Sequence, residues 1–249
     1  MKCKLALAQI NTVLGDVQAN LSKHLDLIDQ ALAQGAEFIL LLNDDISIEP
    51  STCRVLVAEA ARHPTLAAVG GKIRPTGKPN LLWSAGEPFP PQEMIVQDKG
   101  QFDIPRTVRY VVGGCILLSR NVLLKIGLFD ESFFMVHEEK EWCSRAARAG
   151  FQTWYTPDAV AWHDLEHSFT SHWSAAYHYL YVRNNLYFWQ KRSPGSSGWQ
   201  TLQQALAAWW QEIGFIRHSG TQPMHRIWAA SLGAVDFLLG RLGPPPQRL

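Results

Sequence analysis

The chain alternates short apolar runs with amphipathic stretches. Residues 5–10 read as a strand. Leu21, Leu25, Ile28 and Leu32 recur at spacings of four, three and four, which is one face of a helix. Gly35 stands where that helix should stop. Phe38-Ile39-Leu40-Leu41-Leu42 is an unbroken apolar run, the pattern of a parallel strand buried on both faces. Together these pieces predict a β-α-β unit. Residues 51–63 read as a helix and 66–71 as a short strand. Between 75 and 105 stand six prolines and little periodicity, so this stretch is expected to be a long loop carrying short strands. Residues 108–118 are β-like, broken by Gly113-Gly114. A helix is expected over 138–149, ending at Gly150, then strands over 151–155 and 159–162. From residue 168 onward the pattern is mainly helical, with a hinge at Pro194-Gly195-Ser196-Ser197-Gly198 and a frayed end around Pro244-Pro245-Pro246.

Composition narrows the class. At 249 residues, 47% hydrophobic and 18% charged, the chain is too apolar for a disordered or fibrous protein. No apolar run reaches the ~18 residues of a membrane span. The opening MKCKLALAQI has neither a signal-peptide core nor a small-residue cleavage site, so a cytoplasmic location is expected. Cys3, Cys53, Cys115 and Cys143 are too scattered for a metal knuckle or a disulfide framework and suit free thiols.

The net charge of +1 hides an asymmetry. From Arg183 onward there are seven Lys/Arg against two Asp/Glu, a balance of +5. The same tail holds five of the ten tryptophans: Trp189, Trp199, Trp209, Trp210 and Trp228. Basic residues interleaved with Trp suit an anionic membrane surface. A helical subdomain that packs its aromatics inward is the competing account. Nucleic acid suits the pattern too, but is not expected as a partner.

Three polar clusters stand at strand ends or helix starts. Asn43-Asp44-Asp45 follows the buried run. Ligands of open α/β sheets bind at such carboxyl ends, and adjacent carboxylates there suit a hard divalent ion, Mg²⁺ or Mn²⁺, completed by phosphate oxygens and water. An ordinary Asn-Asp turn is the alternative. Glu138-Glu139-Lys140-Glu141 opens a helix, where the dipole favours carboxylates and where a general base could face a pocket. His163 follows an apolar strand and precedes Asp164.

Taken in order, FILLLNDDISIEP (38–50), AAVGGKIRP (67–75), GGCILLSRNVLLKIGLFDESFF (113–134), HEEKEWCSRAARAGF (137–151), TPDAVAWHD (156–164) and YVRNNLYF (181–188) resemble family-2 glycosyltransferases of the rhamnosyltransferase-like type. The resemblance implies an α/β fold of the GT-A class, a mostly parallel sheet flanked by helices. It also implies a metal-dependent, inverting transfer from a nucleotide sugar (UDP- or dTDP-linked) to a hydroxyl of a cell-surface or lipid-linked glycan. By position it makes Asp45 the metal ligand, with Asn43 or Asp44 assisting and His163 a further ligand. Glu139 becomes the base, in a position the family usually fills with Asp, with Glu138 beside it. Gly113 and Gly114 let backbone approach the sugar or acceptor.

Residues 4–41 instead resemble the opening of nitrilase-type amidohydrolases, especially the glutaminase domain of glutamine-dependent NAD synthetases. No catalytic Glu, Lys and Cys stand in the settings that family needs, so amide hydrolysis is not expected. The expectation is a hybrid chain: a nitrilase-like β-α segment over 1–38, a glycosyltransferase core over 39–167, and a helical region over 168–249 that is peripheral on the inner face of the membrane if it meets lipid. About two β-α units fewer than the family has precede Asn43, so the donor site is expected to be compromised. A folded binding module without catalysis is the alternative.

Overall fold

The computed structural model describes residues 33–88, 95–165, 175–192, 197–218 and 223–246, with the single residues 26, 30, 195 and 249. The strand expected over 5–10 and nearly all of the following helix lie outside the described residues. Gly35 does take a left-handed φ of 75°.

The strands are β1 Phe38–Leu42, β2 Ile46–Ile48, β3 Leu66–Pro75, β4 Leu81–Leu82, β5 Ser84–Ala85, β6 Glu87–Pro88, β7 Val96–Gln97, β8 Arg106–Val108, β9 Cys115–Ser119 and β10 Gln152–His163. The helices are α1 Thr52–Arg62, α2 Arg120–Ile126, α3 Glu138–Arg148, α4 Ala175–Arg192, α5 Gly198–His218 and α6 Pro223–Leu238. The expected α/β class is found, with a central sheet ordered β1-β9-β3-β10-β2.

Within the described residues that sheet is mixed rather than mostly parallel. β10 runs parallel to β3, while β9 lies antiparallel to both β1 and β3. The apolar run of β1 therefore pairs as Leu42↔Cys115 through Phe38↔Ser119 instead of joining a parallel neighbour. Side chains alternate across β9, as the two-residue period of a strand requires. Cys115 and Leu117 join Leu56, Val69 and Ile73 under α1. Ile116 and Leu118 meet Val122, Trp142 and Ala146 of α2 and α3 on the other face. Both faces are covered, which is why β1 and β9 read as continuous apolar runs.

The strands expected over 151–155 and 159–162 are one long strand, β10, whose register against β3 shifts between Tyr155 and Val160. At that shift the backbones come very close: a Cβ on Gly71 would lie 2.2 Å from the carbonyl oxygen of Ala159. The proline-rich segment carries β4–β7 and is tied down by a buried ammonium. Lys72 Nζ donates to Asp98 at 3.0 Å and to Asp103 at 2.5 Å. Cys53, Cys115 and Cys143 are free thiols.

α4, α5 and α6 share a core that includes Val182, Leu186, Ala208, Ile216, Ala230 and Phe237. α4 bonds directly to the sheet unit: Asn184 donates to the Phe133 carbonyl ahead of α3 and Lys191 pairs with Glu141 within it. The tail tryptophans are not turned inward as a set. Trp209 donates to Ser231 Oγ at 2.8 Å, whereas Trp199 and Trp210 are 66% and 63% exposed. Among the described residues no helix is long and apolar enough to cross a membrane.

Gly71→Ala should force β3 and β10 apart. Overpacking of this kind costs about 1–3 kcal/mol, and a fall in the urea midpoint at unchanged slope is the expected outcome.

Candidate active site

The Asn43-Asp44-Asp45 turn is made by backbone. Asn43 N–H donates to the Gly114 carbonyl at 3.0 Å, and Ile46 N–H closes back on the Asn43 carbonyl at 3.2 Å. β2 then pairs with the end of β10, His163 opposite Ile46, and Asp164 N–H donates to the Asp45 carbonyl at 2.9 Å. This register brings together two side chains 118 positions apart: His163 Nε2 lies 3.1 Å from Asp45 Oδ2. The imidazole is buried, and the Trp83 indole packs edge-on at a centroid distance of 4.4 Å. Asp44 is exposed at the tip of the turn.

Gly113 and Gly114 join this corner to the acid pair. A Cβ on Gly114 would stand 3.9 Å from Asn43 Nδ2, and one on Gly113 would stand 3.9 Å from both Glu138 Oε1 and Glu139 Cδ. Those are ordinary contact distances, so no protein atom demands glycine there. Asn43, Asp45, Gly113, Gly114, Glu138, Glu139 and His163 thus form one contiguous corner at one end of the sheet's strands.

The acid pair is set at the start of α3 by an unusual turn. Phe134, Val136 and His137 all have positive φ, at 63°, 71° and 75°. Such conformations cost of order 1–3 kcal/mol each for non-glycine residues unless the surroundings impose them. Here α4 imposes them. The Asn184 amide nitrogen donates to the carbonyls of Phe133, Met135 and Val136 at 2.8, 2.6 and 2.8 Å. Arg183 holds the Asn184 side-chain oxygen at 2.9 Å and also reaches the Phe133 carbonyl. Lys191 Nζ adds a bridge to Asp130 at 2.6 Å and to Glu141 at 3.1 Å. Burial pushes the Asp130 carboxyl up, but bonds from Lys191 and Ser132 outweigh it and hold it down at about 2.

The two carboxylates differ. Burial pushes Glu138 up to about 8, helped by the charge of Glu139. Burial also raises Glu139, against the opposing pull of nearby backbone N–H groups, its own and that of Gly113, and of the Lys140 charge. The Oε2 atoms of both are buried without a hydrogen-bond partner among the described residues. Burial and the mutual repulsion of the two carboxylates thus oppose both charges being carried at once. Burial and the Glu139 charge also raise the Tyr110 hydroxyl.

Asp45 and His163 suit a shared divalent ion. Ligand atoms about 2.1 Å from an ion and at right angles to each other are about 3 Å apart, and Oδ2 and Nε2 already have that spacing. No group of three or more His, Cys, Asp or Glu able to hold a metal occurs among the described residues. An ion here would need ligands beyond these two side chains. The sequence pattern pointed to this corner but missed Trp83, Arg183 and Asn184. The last two stand within the YVRNNLYF stretch, where an Arg-Asn pair on an apolar helix is the visible signal.

Residues 11–179 match the family described as glycosyltransferase like family 2, and the chain belongs to that family. The match starts at residue 11, well ahead of the expected start near 38. It is 26% identical over 148 residues to the N-acetylglucosaminyl-diphospho-decaprenol L-rhamnosyltransferase of Mycobacterium tuberculosis, covering 53% of this chain and 48% of that protein. The chain thus spans about half the length of that relative. It is 27% identical over 225 residues to the low-salt glycan biosynthesis hexosyltransferase Agl10 of Haloferax volcanii, covering 85% of this chain and 69% of that one. Among solved structures, the mannosyltransferase PcManGT of Pyrobaculum calidifontis, in complex with GDP-Man and Mn²⁺, is similar at 14% identity. Its TM-score is 0.47, over 87% of this chain and 65% of that one.

Asn184→Ala should release the turn before α3 and lower the melting temperature by about 2–4 °C for each kcal/mol lost. Glu138 gives a pH signature. Its folded pKa is raised, so its contribution to stability is complete below its unfolded value of 4.5 and is lost as pH rises through about 8. Glu138→Gln should therefore melt above the wild-type chain at pH 9, with the difference closing by pH 5.

Proposed function

We propose that the chain is a metal-dependent, inverting glycosyltransferase that moves a sugar from a UDP- or dTDP-sugar to a hydroxyl of a glycan or lipid-linked acceptor. The observation that carries this reading is the Asp45–His163 pair at 3.1 Å, set across Gly113-Gly114 from the buried Glu138–Glu139 acid pair. The names of the two relatives, a rhamnosyltransferase acting on a diphospho-decaprenol-linked sugar and a hexosyltransferase of glycan biosynthesis, support sugar transfer to a glycan or lipid-linked acceptor.

A divalent ion bound here would neutralise the diphosphate leaving group. Asp45 and His163 would hold it, with Asn43 and Asp44 on the donor side. The Glu139 carboxylate takes the proton of the acceptor hydroxyl as that oxygen attacks the anomeric carbon from the face opposite the diphosphate, which gives inversion. The nearby Gly113 N–H favours the charged form of Glu139, and a protonated Glu138 would spare it a second negative neighbour. Glycines at 113 and 114 leave the space above the backbone to the sugar.

The nitrilase-like reading of the first residues gains no support, and amide hydrolysis is not part of the proposal. The expected impairment of the donor side falls on residues outside the described ones. The tail is proposed to rest on an anionic membrane, since Trp199, Leu206 and Trp210 expose one apolar face of α5 in a region of charge +5.

Mn²⁺ with UDP or dTDP should raise the melting temperature, by the equivalent of about 2.7 kcal/mol at a hundred times Kd, and Asp45→Ala should abolish the shift. No metal-dependent shift with either nucleotide in the wild-type chain sinks the reading. Glu139→Gln should keep the nucleotide shift while cutting sugar transfer by about 10²–10⁴-fold. Co-sedimentation with anionic liposomes should weaken as salt is added, and equal recovery in the supernatant with and without liposomes excludes the membrane contact.

A further inference from the structure

Beside the acid pair, a cleft of about 510 Å³ opens between α3, α4 and the segment ahead of β9. Its walls carry four cations, Arg109, Lys140, Arg148 and Arg192. Their one carboxylate partner among the described residues is Glu87, which holds Arg109 through a two-pronged pair. No carboxylate lies within ion-pair distance of Lys140, Arg148 or Arg192 there. The Lys140 ammonium faces rings instead, 4.5 Å from the centroid of Phe188 and 5.9 Å from that of Tyr110. Arg192 stands 5.9 Å from the Trp189 ring. Burial, with the charges of Arg109 and Arg192, pushes Lys140 down to about 8 against the pull of Glu139.

Four cations gathered along one cleft, three of them exposed to solvent, give it a positive potential that attracts an anion. Rings beside the cations add an apolar wall, which a bare inorganic ion would not use. Lys140, Ser144 and Arg148 are spaced by four along α3, so they line one side of the cleft. Lys140 also follows Glu139 directly in sequence.

We propose that this cleft is an anion subsite that takes a phosphate or diphosphate carried by the acceptor, placing the acceptor's hydroxyl at Glu139. It deepens the glycosyltransferase reading and rests on it, but is separate from the Asp45–His163 corner where the donor's diphosphate would lie. The bearer of the phosphate is either a lipid or a water-soluble phosphate ester.

Calorimetric titration of the full chain in metal-free buffer separates these ideas. Inorganic pyrophosphate should bind, Asp45→Ala should leave that binding unchanged, and Lys140→Met combined with Arg192→Gln should weaken it at least tenfold. Geranyl diphosphate binding more tightly than pyrophosphate points to a lipid bearer, and equal affinity to a soluble one. No binding to the wild-type chain, equal binding by the double variant, or loss on Asp45→Ala overturns the assignment. If the double variant does not fold, exposed Arg148→Gln replaces it, with about threefold weaker binding expected and unchanged binding overturning the proposal. The Mn²⁺-dependent nucleotide shift is read on the same samples. Its presence without pyrophosphate binding removes the subsite alone, and its absence removes the glycosyltransferase reading.

Discussion

A single side-chain amide governs the geometry of the acid pair. Asn184 sets its two N–H bonds among three carbonyls of the turn that precedes α3, and Arg183 fixes the other end of that amide. Without this contact, three non-glycine residues would have no reason to hold left-handed backbone. Because the turn is held, α3 starts at Glu138, and its first two side chains meet Gly113 instead of solvent. The bond crosses from the helical region to the sheet unit, so the two regions are energetically one at this point.

The charges follow from the same placement. A helix N-terminus favours carboxylates, yet burial works against a second charge beside the first. The outcome is a pair in which burial raises both members, Glu138 to about 8 with the Glu139 charge beside it. One residue further on, the sign reverses at Lys140. A hydroxyl-bearing anion would find a proton acceptor and a positive cleft within one short helix.

Much of this corner was legible in the sequence. The Asn-Asp-Asp turn at the end of an apolar strand, the paired glycines, the Glu pair at a helix start and His163 after a strand were each visible as weak local signals, and the structure brings them together. The helix over 138–149 and its stop at Gly150 were readable because charge placement and glycine chemistry are local. Strand direction was not. The run at Phe38 looks the same whether its neighbour is parallel or antiparallel, and only the insertion of β9 between β1 and β3 decides it. Likewise β10 reads as two strands because Thr156-Pro157-Asp158 is a turn signal, which the sheet absorbs as a register shift. Asn184 was hidden for a further reason: its partners are backbone carbonyls about fifty positions away, and no side-chain pattern advertises those.

α3 is also a length standard. An α-helix rises about 1.5 Å per residue, so the line from Lys140 to Arg148 measures about 12 Å and does not stretch. With Glu139 at its zero mark and cations at its first and last graduations, the proposed subsite would make the helix sort acceptors by the span between their reacting hydroxyl and their charge. A molecule with the right groups at the wrong separation would satisfy one end and leave the other empty. Selectivity of that sort needs no recognition of individual sugar hydroxyls, and one inserted or deleted residue in α3 would rotate the whole scale by about 100° and retune it in a single step.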